Sequence, residues 1–282
     1  MKKLLLLINC TLFAFSAFAQ QNTEPNRIIS VGSSITELVY ALGAEDQLVA
    51  IDVTSKHFDP ANALPQVGYH RQLSAEGLMA QNPTHVIGSH EMGPDSTLQL
   101  LKSAGIQVVT VSSGDSEQDL AARIDTIAQI TATQAKATQL KQQLHQQIEH
   151  LTQLTNTTHP KAIFAMLSKG RPATIAGSNT TIDKIIQLAG AQNPANKDFS
   201  SYKSMSFEAI VDIQPHYILV AQRTWDALGG QQGIIKAFPL LAATPAAAQN
   251  NIIPIPGSAI IGGFGIESVQ LSQSLHQTFE NP

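Results

Sequence analysis

The stretch Gly68-Tyr69-His70-Arg71 sets a phenol, an imidazole and a guanidinium side by side behind a glycine. A phenolate is a hard anionic oxygen donor, suited to a hard cation such as ferric iron. A free tyrosine titrates at about 10, so anionic service near neutral pH needs the metal itself and a nearby cation such as Arg71. Gly68 suits a tight loop that projects the ring into a cleft. On residue types alone, a packed or surface tyrosine after a turn remains the alternative, and His70 reads equally as a ligand-edge contact or a solvated loop residue. Lys169, Arg171 and Arg223, expected on loops at strand ends, join Arg71 as partners for any carboxylates a ligand carries. Trp225, the only tryptophan, follows Arg223 and suits either the flank of a flat ligand or packing. Two acids stand apart from this set. Glu76 and Glu208 each follow a serine by two residues, which places acid in a helix's first turn, where the dipole favours it.

Other chemistries are less well served. His57, His70, His90 and Glu91 fall close together in the chain and suggest a zinc or manganese cage. Such cages draw ligands from both halves of a binding protein, and His159, His216 and His276 sit in unpromising places. No Gly-x-Gly-x-x-Gly follows a first strand, and there is no P-loop, Gly-x-Ser-x-Gly or His-Glu-x-x-His; Gly262-Gly263-Phe264-Gly265 lies in the wrong context. Binding, not catalysis, is the expectation.

The elements that must position these residues repeat along the chain. Leu73-Ser74-Ala75-Glu76 through Pro83 to His85-Val86-Ile87-Gly88 has a counterpart 132 residues later, Met205-Ser206-Phe207-Glu208 through Pro215 to Tyr217-Ile218-Leu219-Val220. Each unit predicts an N-capped helix, a proline stop and a buried strand. A weaker echo joins Gly32-Ser33-Ser34-Ile35 to Ser178-Asn179-Thr180-Thr181-Ile182, both read as strand, capping turn, helix and glycine stop. Between the halves, Asp115 to His159 contains neither glycine nor proline. Leu120, Ile124, Ile127 and Ile130 form one helical face there, and Leu140, Leu144, Ile148 and Leu151 a second, with a break expected near Thr131-Ala132-Thr133. The expected fold is therefore α/β, with two Rossmann-like lobes on parallel sheets, 27–115 and 160–282, joined by a long, two-piece helical connector over 116–159.

The N-terminus predicts export. Lys2 and Lys3 precede an apolar run from Leu4 to Phe18, and Ala17-Phe18-Ala19 supplies small residues at the −3 and −1 positions, so 1–19 reads as a signal peptide. Cleavage would move the net charge from −4 to about −6, which argues against nucleic-acid or anionic-membrane surfaces. The single cysteine, Cys10, falls inside the apolar run, too early for a lipid anchor.

The segment Gly68-Tyr69, Arg71 and Leu73-Ser74-Ala75-Glu76-Gly77, with Arg27-Ile28-Ile29-Ser30-Val31-Gly32, Ala176-Gly177-Ser178-Asn179-Thr180 and Leu228-Gly229-Gly230, resembles the periplasmic haem-binding proteins of ABC haem importers, class III periplasmic binding proteins. The resemblance covers most of the mature chain; outside the Tyr69 segment it fits siderophore and cobalamin binders nearly as well. It implies a periplasmic protein that carries haem b as its transported ligand, with Tyr69 as the axial iron ligand. Propionates would fall to Arg71, Lys169, Arg171 and Arg223 and to helix N-termini at Ser33-Ser34 and Asn179-Thr180. Glu76 and Glu208 would meet arginines on the two subunits of the importer's permease dimer.

Overall fold

A computed structural model describes residues 25–154 and 159–280; the expected signal peptide and Cys10 lie outside these residues. The first half contains β1 (Ile28–Val31), α1 (Ser33–Ala41), β2 (Leu48–Ile51), α2 (Ala75–Met79), β3 (His85–Ser89), α3 (Asp95–Ser103) and β4 (Gln107–Val111). Then come α4 (Glu117–Thr131) and α5 (Gln134–Gln153). The second half continues with β5 (Ala162–Met166), β6 (Ala173–Ala176), α6 (Thr181–Leu188), β7 (Tyr202–Met205), α7 (Phe207–Ile213), β8 (Tyr217–Ala221) and α8 (Gln222–Leu228). It closes with α9 (Gly230–Ala237), α10 (Pro245–Ala248), β9 (Ile252–Ile255) and α11 (Ile266–Glu280).

The first sheet runs β2-β1-β3-β4 and every pair in it is parallel. Apolar strands such as Ile28-Ile29-Ser30-Val31, buried throughout, suit a sheet covered on both faces. The second sheet runs β7-β6-β5-β8-β9, and here the parallel expectation needs correcting. β5, β8 and β9 are parallel, but β6 pairs antiparallel with both β5 and β7. Only residues 167–172 separate β5 from β6, and a parallel return needs a crossover of about a dozen residues or more. No strand passes from one sheet to the other among the described residues.

The repeated units form as their local chemistry dictates. Ser74 Oγ accepts from Gly77 N–H, and Ser206 Oγ from Ala209 N–H, at the same place in α2 and α7. Prolines 83 and 215 then separate these helices from β3 and β8.

α4 and α5 are not one rod. Ala132 adopts a left-handed conformation (φ 57°) and turns the chain back, and Asp125–Lys141 (2.5 Å) and Glu117–His145 (2.7 Å) pair across an antiparallel hairpin. Leu120, Ile124 and Ile127 on α4, with Leu144, Ile148 and Leu151 on α5, belong to a single apolar cluster. That cluster also holds Ile28 and Ile35 from the first half and Phe164, Leu219 and Phe279 from the second. The halves thus share a core in addition to their own, and a shared core resists being sheared open.

A polar seam reinforces it. The Glu37 carboxylate of α1 accepts from the backbone N–H of Ile266 (2.8 Å) and of Glu267 at the start of α11. Arg123 of α4, fully buried, donates to the carbonyls of Ser112, Gly114 and Phe264. A Cβ on Gly263 would fall 2.8 Å from the Arg123 guanidinium, so the Gly-Gly-Phe-Gly stretch is a close-packing device.

Candidate functional site

Gly68 sits at φ 94°, and the loop it opens carries Tyr69 outward, 42% exposed, as the glycine predicted. The next residue goes the other way. His70 is 3% exposed, which corrects the solvated-loop alternative. Its Nδ1 faces Asp52 and its Nε2 faces Glu91, each at 3.7 Å, too long for a full hydrogen bond. Arg71 Nε donates to His70 Nε2 at 3.3 Å. The Tyr69 and His70 rings pack with centroids 4.1 Å apart, tilted by 52°.

Asp52 is the anchor beneath this loop. Its carboxylate is wholly buried and accepts from Gly32 N–H (3.0 Å), Thr54 Oγ1 (2.7 Å) and Ser55 Oγ (2.7 Å). Burial works against its charge, but the facing His70 and the Ser55, Thr54 and Gly32 donors outweigh it and hold the carboxyl below its usual range. Arg71 hydrogen-bonds Glu91, so the guanidinium that stands beside Tyr69 already has a carboxylate partner. Sequence grouped Glu91 with His70 only as part of a candidate metal cage, and nothing in it pointed to Asp52, which follows β2 directly and lies beneath a loop that returns to it from the same β2–α2 connection.

The second half contributes Tyr202, at the start of edge strand β7 and 38% exposed. Burial first, then the Glu91 carboxylate, push its hydroxyl up to about 12 against the opposing pull of Arg71. A residue more than one-third exposed is partly screened by water, but the direction is firm: Tyr202 stays a neutral phenol at pH 7. The repeat carried a signal for it: Tyr202-Lys203 precedes the Ser206 cap by the same spacing as His70-Arg71 precedes Ser74.

The remaining cations do not gather here. Lys169 and Arg171, on the exposed turn between β5 and β6, line a cavity of about 590 Å³ with Phe207 and Glu208. The β6–β7 register sets that turn beside Met205, at the end of β7 opposite Tyr202. Arg223 is on the first turn of α8, not on a loop, because α8 follows β8 without a linker. Trp225 packs against the second-half core.

The helix N-termini also differ from expectation. Ser33 and Ser34 are buried, and Ser33 Oγ donates to the carbonyls of Ser258 and Ile261, so the second half of the chain covers the start of α1. Thr180 Oγ1 accepts from Asp183 N–H and caps its own helix. Glu76 and Glu208 are exposed, each in the first turn of its helix.

His57 turns to Glu267 (2.9 Å), His90 is exposed, and among the described residues no three His, Cys, Asp or Glu side chains converge as a metal cage. Among them, too, no helix is long and apolar enough to cross a membrane.

Residues 28–259 match the family model described as periplasmic binding protein. The crystal structure of the periplasmic heme binding protein HutB of Vibrio cholerae is 48% identical, with a TM-score of 0.85 over 91% of this chain and 99% of that one. A periplasmic heme binding protein from Pseudomonas aeruginosa is 30% identical, with a TM-score of 0.83 over 91% and 93% of the two chains. Among curated sequences, the vitamin B12-binding protein of Vibrio parahaemolyticus is 26% identical over 208 residues, 74% of this chain and 75% of its own length.

Proposed function

We propose, for a chain that belongs to the periplasmic binding protein family, that it captures haem between its two halves and delivers it to an ABC importer. The observation that carries the reading is Tyr69, exposed on a glycine-started loop whose next residue is locked into a buried charge network. Ferric iron prefers an anionic oxygen, and iron itself displaces the phenol proton on binding. Tyr69 is the axial ligand in this reading. Tyr202, held neutral, faces the haem from the other side as a hydrogen-bond donor or weak contact. Arg71 sits between Glu91 and the ligand and is the first partner for a propionate, followed by Arg223; Lys169 and Arg171 stand farther off. His70 positions the Tyr69 loop and does not touch iron. Residues 1–19 would direct the chain to the periplasm and be removed.

Glu76 and Glu208 occupy equivalent first turns of α2 and α7, which suits docking to a permease dimer whose two subunits present like surfaces. Replacing both with alanine should leave haem binding intact and abolish stimulation of the cognate importer's ATPase. Normal coupling in the double variant would remove the symmetric-acid reading.

Cobalamin is the second reading, favoured by the curated relatives. Titration with hemin and, separately, with cyanocobalamin decides between them: hemin should saturate with a high-spin ferric spectrum, and cobalamin should leave the protein's fluorescence unchanged. The reverse result overturns the haem assignment.

A further inference from the structure

The two docking acids stand in matched helices but in unmatched surroundings. Glu208 lines the cavity of about 590 Å³ together with the apolar Phe207, Phe238 and Leu240 and the basic Lys169 and Arg171. Phe207 stacks on Phe238 with ring centroids 5.1 Å apart, which holds the apolar lining in place. Leu240 is 47% exposed, an unusual position for a large apolar side chain on an otherwise polar surface. In the first half the residue equivalent to Phe207 is Ala75, whose methyl group cannot build such a lining. Lys169 and Arg171 have no acidic partner within ion-pair distance among the described residues, so the cavity keeps their positive charge for something else.

We infer that this cavity is a one-sided socket for the importer. It receives a permease segment that inserts an apolar side chain flanked by a base, which meets Glu208, and by an acid, which meets Lys169 and Arg171. The inference rests on the docking role of Glu208 and adds to it. A symmetric pair of acids cannot tell one permease subunit from the other, whereas a socket beside only one of them makes the two contacts unequal. Charge complementarity of both signs selects the partner, and the apolar lining supplies the area that slows its release.

The test measures the affinity of haem-loaded protein for the cognate permease–ATPase complex in nanodiscs. Leu240→Asp and Arg171→Glu should each weaken binding at least tenfold, while Ala75→Asp on the first half should change it less than threefold. Leu240→Asp should titrate hemin as the wild type does. In the wild type, amides over residues 237–241 should gain protection from hydrogen exchange when the complex forms; no gain overturns the socket whatever the variants do. If Glu76→Ala with Glu208→Ala binds the importer normally, the docking reading falls. If that pair loses binding while Leu240→Asp and Arg171→Glu keep it, docking stands and the socket falls. An Arg171→Glu that loosens hemin but not the importer gives the basic pair to the ligand and likewise overturns the proposal.

Discussion

Tyr69 and Tyr202 come from the two halves of the molecule and are held in opposite ways. Tyr69 rides on a loop started by a left-handed glycine and pinned at its next residue by His70, which is buried between Asp52 and Glu91. Tyr202 begins an edge strand of four residues, three of them exposed, with one neighbouring strand to hold it. The first tyrosine is preorganised at the cost of burying a carboxylate and an imidazole. The second is a neutral phenol on a pliable edge. If Tyr69 is the iron ligand as proposed, that division would let one side fix the metal while the other yields without disturbing the ligand bond.

The sharpest way to break this comparison is to exchange the roles by mutation. Tyr69→Phe removes the donor and keeps the ring packing against His70. Hemin affinity should fall by roughly 100-fold or more, about 3 kcal/mol, and the oxygen-to-iron charge-transfer band should vanish from the visible spectrum. If the band persists in Tyr69→Phe and disappears in Tyr202→Phe, the assignment of the two tyrosines is reversed.

The next largest effect should come from the anchor. Asp52→Ala strands the Gly32 amide and the Thr54 and Ser55 hydroxyls and frees His70. We expect a loss of about 2–3 kcal/mol in urea unfolding together with weaker hemin binding. A variant that unfolds as the wild type does but still binds poorly would show that Asp52 acts on the ligand directly.

Buried acids separate the two regions by pH as well. The Asp52 carboxyl is held low in the folded state, so its stabilisation is present above the ordinary carboxylate value and is lost as pH falls below about 4. Glu37, on the seam between the halves, behaves oppositely. Burial pushes it up to about 8 against the Glu267 and Ile266 amides and Arg123. The folded protein then binds a proton that the unfolded chain has released, so stability is greatest below about 4.5 and declines as pH rises toward about 8. Unfolding free energies from urea titrations at pH 5 and pH 8 should differ by on the order of 1 kcal/mol or more, and Glu37→Gln should flatten the difference. A slope of the opposite sign in the wild type would mean that the α11 amides dominate over burial.

The smallest expected change belongs to Tyr202→Phe. It should cost roughly three- to tenfold in hemin affinity, about 1 kcal/mol, with the charge-transfer band retained. A loss as large as that of Tyr69→Phe would erase the asymmetry on which the comparison rests.

Much of the scaffold was legible because it is local. The Ser74 and Ser206 caps, the prolines that stop α2 and α7, the break near Ala132 and the apolar faces of α4 and α5 were read from side chains within a turn or two of themselves. Gly68 announced the exposed loop for the same reason. The antiparallel β6 escaped because the pairing direction depended on the brevity of 167–172, not on any strand pattern. The burial of His70 escaped because it depends on packing against Asp52, at the end of β2, and Glu91, after β3.

By itself, then, the sequence determined the α/β elements, their repetition, the helical break and the presence of an iron-suited tyrosine, since propensity, capping and periodicity are written in adjacent residues. Tertiary structure decided which residues share a site: that His70 is buried between carboxylates, that Lys169 and Arg171 gather beside Glu208, and that Glu37, Arg123 and Gly263 pin the two halves together. Those outcomes turn on distances between chain positions dozens to hundreds of residues apart, and only the packing of the shared core sets them.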